Sequence, residues 1–236
     1  MKTSFIVKWY DIFINPFYFT RKGLYNSLHK FAPKLKGQLL DFGCGSKPYQ
    51  PLFVSCDSYL GLDMENPGHP HINEKIDVFY DGKNIPFAAD HFDSVFCSEV
   101  MEHVFNPDEI IAEICRVMKP GGQLLLTCPF VWAEHEVPYD YARYSSFGIK
   151  HLLEKNGFKV LLQKKEGHFT EVIIQQIIFY IFCLLPKRPA LLYLFLHQIF
   201  ILPFVITGLL LNLLPGSALK RKELYHSNIV LATKAG

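Results

Sequence analysis

No Cys-x-x-Cys pair occurs among the six cysteines, Cys44, Cys56, Cys97, Cys115, Cys128 and Cys183. That removes the usual spacing of structural zinc and of dithiol redox sites. Several of the six fall inside apolar runs such as "DSVFC" and "LLLTC", which reads as buried free thiols in a reducing cytoplasm. An excess of one charge is also missing: the formal net charge is +2, and nothing in it calls for nucleic acid as a partner. A secretory signal is lacking too. "MKTSFIVKWYDIFINPFYFTRKG" sets Lys8 and Asp11 among its apolar residues, with no small-residue cleavage site after them. Residues 1–36 read instead as an amphipathic helical segment, either packed on an enzyme core or lying in an interface. There is no internal repeat and no low-complexity tract. Hydrophobic residues are plentiful: 50% of the 236 residues, enough for a large core and against disorder.

From residue 38 the chain alternates strand and helix. "QLLDFG", "SYLGLDM", "KIDVFY", "FDSVFCSE" and "GGQLLLTCPF" are five short apolar runs of strand type. Between the last two lies "NPDEIIAEICRVMKPGG", a helix with Asn106 as cap and Pro107 at its first position. Asp108 and Glu109 suit its positive end, and Pro120 with the following glycines stops it. Ile110, Ile111, Ile114, Val117 and Met118 form its apolar face. "SSFGIKHLLEKNGF" is a further helix with Gly157 past its end, "FKVLLQKKEG" a sixth strand and "NIVLATK" a seventh. This alternation predicts an α/β protein with a mostly parallel sheet and helices on both faces.

In "LLDFGCGSKPY" a strand delivers Asp41, then Gly43 and Gly45, where a backbone can turn sharply and approach a ligand. Asp63 ends the next strand, 18 residues beyond Gly45, where an acid can hold a ribose. The loop has neither GxGxxG nor GxxxxGK[ST], so a nucleoside without phosphates fits better than a nucleotide. Together "LLDFGCG", "GLDM", "DGKNIPFAADHFDSVFCSEVMEHV", "EICRVMKPGG" and "LLLTCPF" resemble class I S-adenosylmethionine-dependent methyltransferases of small molecules, over about residues 37 to 165 and more loosely 224 to 234. The resemblance implies a Rossmann-like seven-stranded sheet with an antiparallel last strand, and S-adenosylmethionine as cofactor. It also implies positions around that cofactor. Asp41, Phe42, Gly43 and Gly45 would surround its methionine half. Asp63 would hold the ribose with Met64 against the adenine, Asp81 and Gly82 would meet the adenine amino group, and Ser98 and Glu99 would line the reactive end. Read as structure alone, these are ordinary turn residues. After the fourth strand the chain has "SEVMEH" in place of the [DNS]-P-P-[YF] of amino methyltransferases that act on nucleic acid bases, so nucleic acid is not the expected substrate.

The acceptor side is expected from "HEVPYDYARYSSFG". Its H-x-x-P-x-D-x-x-R pattern resembles bacterial methyltransferases of surface polysaccharide or lipid. His135 is the candidate general base. Asp140 would orient His135 or bind the acceptor, and Arg143 would hold an anionic group or lock the loop through Asp140. In the structural alternative all three only tie down a loop. His103 is expected to support the start of a helix near the cofactor. His69 and His71 lack a matching ligand set and read as loop residues, so no metal is expected.

Ala190 to Leu214 holds 25 residues without Asp, Glu, Lys or Arg. Val172 to Leu185 adds 14 more, about 21 Å as a helix and short of a hydrocarbon core of about 30 Å. Strands six and seven must lie on one side of any membrane, so the insertion crosses an even number of times or not at all. Pro203 interrupts the longer run, Lys187 and Arg188 separate the two, and Lys220, Arg221 and Lys222 follow. Three forms stay open: a re-entrant or interfacial hairpin, a dimer interface or acceptor lid, and a two-pass span. The chain therefore divides into 1–36, a cofactor domain over 37–165, an apolar insertion over 166–222, and a returning strand over 223–236. The expected protein is a methyltransferase peripheral or monotopic on the cytoplasmic face of a membrane. Its acceptor would be a hydroxyl on a small molecule, glycan or lipid-linked compound, and a second copy of the chain is a candidate partner. The contrasting expectations are a non-catalytic cofactor-binding scaffold and a soluble enzyme of an apolar metabolite.

Overall fold

The computed structural model describes residues 5–64, 75–186, 188–214, 216 and 219–236. His69, His71 and Lys187 lie outside them. Seven strands form one sheet: β1 (Gly37–Phe42), β2 (Cys56–Met64), β3 (Val78–Tyr80), β4 (Phe92–Ser98), β5 (Met118–Pro129), β6 (Phe158–Glu166) and β7 (Ser227–Lys234). Their order is β3-β2-β1-β4-β5-β7-β6, mostly parallel with one antiparallel strand. Leu40 of β1 sits between Leu60 of β2 and Val95 of β4. The order reverses at β1 and β4, and in such sheets ligands usually bind beyond the carboxyl ends of the strands at this switch point.

The helices are α1 (Tyr18–Phe31), α2 (Pro107–Val117), α3 (Ser146–Lys155), α4 (Phe169–Leu184), α5 (Ala190–Phe200) and α6 (Leu202–Leu213). Ile110, Ile111, Ile114 and Val117 of α2 are buried with Leu40, Val95, Leu124 and Leu126 of the sheet. Two local expectations are corrected. Asn106 caps α2 by position only; its side-chain amide donates to Glu109 Oε2 at 2.6 Å instead of accepting a backbone N–H. Met118 is not on the helix face. It opens β5, which continues through Pro120, Gly121 and Gly122, so the helix ends before the residues expected to stop it. Gly121, at φ +76°, absorbs the irregularity where β5 shifts register against β4. The α3 expectation fits: Ser145 Oγ accepts from the Gly148 N–H at 3.1 Å, and Gly157 follows the helix at φ +86°.

The chain divides into two compact units, Met1–Asn26 with Lys165–Ser227, and Ser27–Lys164 with Asn228–Gly236. The N-terminal segment and the apolar insertion, read as separate pieces from sequence, thus belong together. Tyr18 and Phe19 pack with Ile174, Ile178, Ile201 and Val205. Buried Gln175 of α4 joins them: its amide donates to Pro16 O at 2.7 Å and its oxygen accepts from the Phe19 N–H at 3.3 Å. The longer apolar run is two helices, α5 and α6, bent by 40° about Ile201. Pro203 is the second residue of α6 and has no N–H to extend the hydrogen-bond ladder of α5, so the chain turns there.

Candidate active site

The end of β1 carries Asp41, and the loop after it turns through Gly43 (φ +73°) and Gly45 (φ +44°). The two glycines are required for different reasons. A Cβ on Gly43 would lie 2.3 Å from Val100 Cγ2, whereas one on Gly45 would meet nothing within 4 Å. The first holds β1 close to the segment after β4; the second leaves room for a ligand against bare backbone. Gly43→Ala is expected to lower the melting temperature by several degrees, since both the clash and the left-handed backbone act against it. Gly45→Ala should melt within about 4 °C of the parent, since only the backbone term of about 1 kcal/mol applies. Both should lose most affinity for S-adenosylhomocysteine in calorimetric titration. A Gly45→Ala protein of unchanged affinity would remove that position from the cofactor site.

Asp63, at the end of β2, closes the loop: Oδ2 accepts from the Gly45 N–H at 2.7 Å and Oδ1 from its neighbour Met64 N–H at 2.8 Å. Each oxygen keeps a lone pair for a further donor such as a ribose hydroxyl. Met64 lies against Gly82, where a Cβ would come 2.7 Å from its sulfur, so these two residues do meet. Asp81 turns the chain here, with Oδ1 accepting from the Lys83 and Asn84 N–H groups, both at 2.8 Å. Those bonds hold its carboxyl below the usual range. The Phe42 ring is fully buried beside Tyr80 in the core, so only its backbone borders the loop.

Sequence reasoning missed Lys47, Asp77, Tyr59 and Thr127. Lys47 lies along Gly61 and pairs with Asp77 at 2.5 Å, and Asp77 also accepts from the Gly61 N–H at 2.6 Å. The Tyr59 hydroxyl donates to buried Asp41. Burial pushes the Asp41 carboxyl up to about 7, against that hydrogen bond. Beyond β4, Ser98 Oγ and Thr127 Oγ1 are 2.8 Å apart, and Thr127 donates to Glu99 Oε1 at 2.9 Å. Glu99 sits at φ +54°, an uncommon backbone for a non-glycine residue and one found at functional turns.

The expected acceptor loop is held from within. Arg143 donates to both oxygens of Asp140, at 2.5 and 2.7 Å, and to the carbonyls of Trp132, Ala133 and Ala142. Asp140 also accepts the His135 N–H at 2.9 Å, and its carboxyl is lowered to about 2, chiefly by Arg143. Of the two roles open to Arg143, the structure contains the pairing with Asp140. The imidazole of His135 is 35% exposed; burial and His103 lower its pKa against the pull of Asp140. His103 ends a short 3-10 turn, Met101–His103, after β4. Its Nδ1 lies 2.7 Å from Tyr139 O, and its ring stacks edge-on to His135 at 4.7 Å. Beneath both lies Glu102, fully buried, with its backbone carbonyl accepting from the N–H groups of Tyr141 and Ala142. Burial, then the charge of Glu99, raises the Glu102 carboxyl well above its ordinary value.

Comparison with known proteins agrees with this geometry. A methyltransferase-domain family profile matches residues 18–163, and the chain belongs to that family, the class I S-adenosylmethionine-dependent methyltransferases. The human ubiquinone biosynthesis O-methyltransferase is 33% identical over 109 residues, 40% of this chain and 29% of its own. A tRNA (carboxymethyluridine(34)-5-O)-methyltransferase of Arabidopsis thaliana is 27% identical over 143 residues, 58% of this chain and 34% of its own. The chain thus spans about a third of the length of these relatives. Among solved structures, the [4+2]-cyclase SpnF shares the fold at a TM-score of 0.57 and 19% identity, covering 89% of this chain and 82% of that one.

Proposed function

We propose that the chain transfers the methyl group of S-adenosylmethionine to a hydroxyl of a lipid-linked or glycan acceptor at a membrane surface. The observation that carries the transfer is the glycine loop: backbone open at Gly45, closed behind by Asp63, at the switch point of the sheet. When bound, the cofactor supplies a sulfonium methyl that passes to the acceptor oxygen as that oxygen gives up its proton. The chain positions the acceptor, excludes water and handles the proton. Those tasks fall to the loop around His135, which Asp140 and Arg143 hold in place.

The membrane part of the reading rests on the unit that contains α4, α5 and α6. Phe169, Ile173, Ile177, Tyr180 and Leu184 are exposed at helical spacing along α4, as are Ile206, Leu210 and Leu213 along α6. No single described helix is long and apolar enough to cross a membrane; the bent pair α5–α6 passes that test only together. A hairpin lying in the interface fits these lengths.

The test is incubation with methyl-labelled S-adenosylmethionine and a cell extract separated into lipid, RNA and aqueous fractions. Label in lipid supports the whole reading. Label in the aqueous fraction alone removes its membrane acceptor, and label in RNA replaces the acceptor class. Cofactor binding without label in any fraction favours the scaffold reading. Separately, the protein is expected to float with vesicles containing anionic lipid, and Ile173→Asp with Tyr180→Asp should leave it at the bottom of the gradient. A parent protein that does not float would remove the membrane from the proposal.

A further inference from the structure

The Glu102 side chain is 1% exposed, and among the described residues neither of its oxygens has a hydrogen-bond partner. A buried carboxyl left in this way is costly unless something else binds it. Its neighbours are ligand types. One ligand atom each from Glu102, His103 and His135 all lie within 4.8 Å of one another, and His103 Nε2 is 3.9 Å from Glu102 Oε1.

We propose that Glu102, His103 and His135 form a binding site for a divalent first-row transition cation. The other ring nitrogens support it. His103 Nδ1 is taken by Tyr139 O at 2.7 Å. His135 Nδ1 lies 3.3 Å from Ala133 O and 3.2 Å from Asp140 Oδ2. Each Nδ1–H therefore has a carbonyl or carboxylate to donate to, which leaves the lone pair on each Nε2 for a metal. Metal-binding histidines are oriented by this kind of second partner. Two imidazoles and one carboxylate suit zinc, manganese, iron or cobalt, and disfavour calcium and magnesium, which take oxygen ligands. Bonds of about 2.0–2.2 Å would draw the three side chains closer together. Glu136 Oε2, in a more exposed side chain, is 3.9 Å from His103 Nε2.

Three protein ligands leave a coordination position open for an outside oxygen. The role drawn from this rests on the methyl-transfer reading: with His135 as a ligand rather than the base, the cation would make a bound acceptor hydroxyl more acidic, its proton leaving to solvent before the oxygen takes the methyl. The binding site itself does not depend on that reading.

The test uses the untagged protein, stripped with a chelator and titrated with Co2+ alone. Visible absorption reports nitrogen coordination and calorimetry the affinity. One Co2+ per chain is expected. Glu102→Gln and His103→Gln should each weaken it at least about tenfold, while His151→Gln, outside the cluster, should not change it. Melting curves and S-adenosylhomocysteine affinity show that the variants are folded. No Co2+ binding, or equal binding by parent and both variants, overturns the site. Binding that is lost in both variants, with no methyl transfer to any extract fraction, keeps the site and removes the methyl-transfer reading. Methyl transfer at full rate in chelator overturns the role of the cation in the reaction.

Discussion

Arg143→Ala is expected to lower the melting temperature by roughly 10 °C. The reason is Asp140, whose side chain is 3% exposed. Removing Arg143 leaves this carboxylate buried without its main partner, which destabilises by about 3–5 kcal/mol, and each kcal/mol moves the midpoint of a chain this size by roughly 2–4 °C. The same change frees the carbonyls of Trp132, Ala133 and Ala142 from Arg143, so the loop carrying His135 should loosen with it. Arg143→Lys should recover less than half of the loss, because an ammonium cannot reproduce the two-pronged contact with Asp140. Adding Asp140→Asn to Arg143→Ala should restore part of the stability, since the unpaired charge is gone. Thermal melts of the four proteins decide the matter. An Arg143→Ala midpoint within about 2 °C of the parent would show that the pair contributes little.

The parts of this site that lie close together in sequence were legible there. Gly43, Gly45 and Asp63 could be read because a glycine loop after one strand and an acid after the next are set by the βαβ geometry itself. Thr127 could not: it sits in an apolar strand, and its bond to Glu99 exists only because β4 and β5 pair. Glu102 was passed over for a similar reason: only the fold buries it beside two histidines. Met118 fitted a helical period and still became strand, because β5 starts early to pair with Phe92. The union of the N-terminal segment with the apolar helices joins residues more than a hundred positions apart, such as Pro16 and Gln175; no local pattern contains it.

Asp41→Asn is expected to make the protein more stable at about pH 8 and to leave it nearly unchanged at about pH 4. Asp41 has its carboxyl raised from 3.8 to about 7, by burial first, with Tyr59 opposing and Asp63 adding to it. In the unfolded chain the group ionises near 3.8; in the folded protein it keeps its proton to about 7. The folded state is therefore unpenalised below the lower value and loses stability as pH rises through this window. Three pKa units at about 1.4 kcal/mol each give a loss of about 4 kcal/mol, complete above the upper value. Asparagine does not ionise, and the Tyr59 hydroxyl can donate to its carbonyl as it does to the carboxylate. Other carboxylates shift the stability of both proteins alike, so the readout is the difference between parent and variant in urea unfolding at several pH values. Equal slopes for the two between about pH 4 and 8 would sink the assignment. Cofactor affinity should move the other way. An ionised Asp41 attracts the cationic cofactor, so the parent should bind more tightly as pH rises toward about 7, and the variant should bind weakly at every pH. A buried acid that weakens the fold while strengthening ligand binding is what a stability–function trade-off predicts at a site.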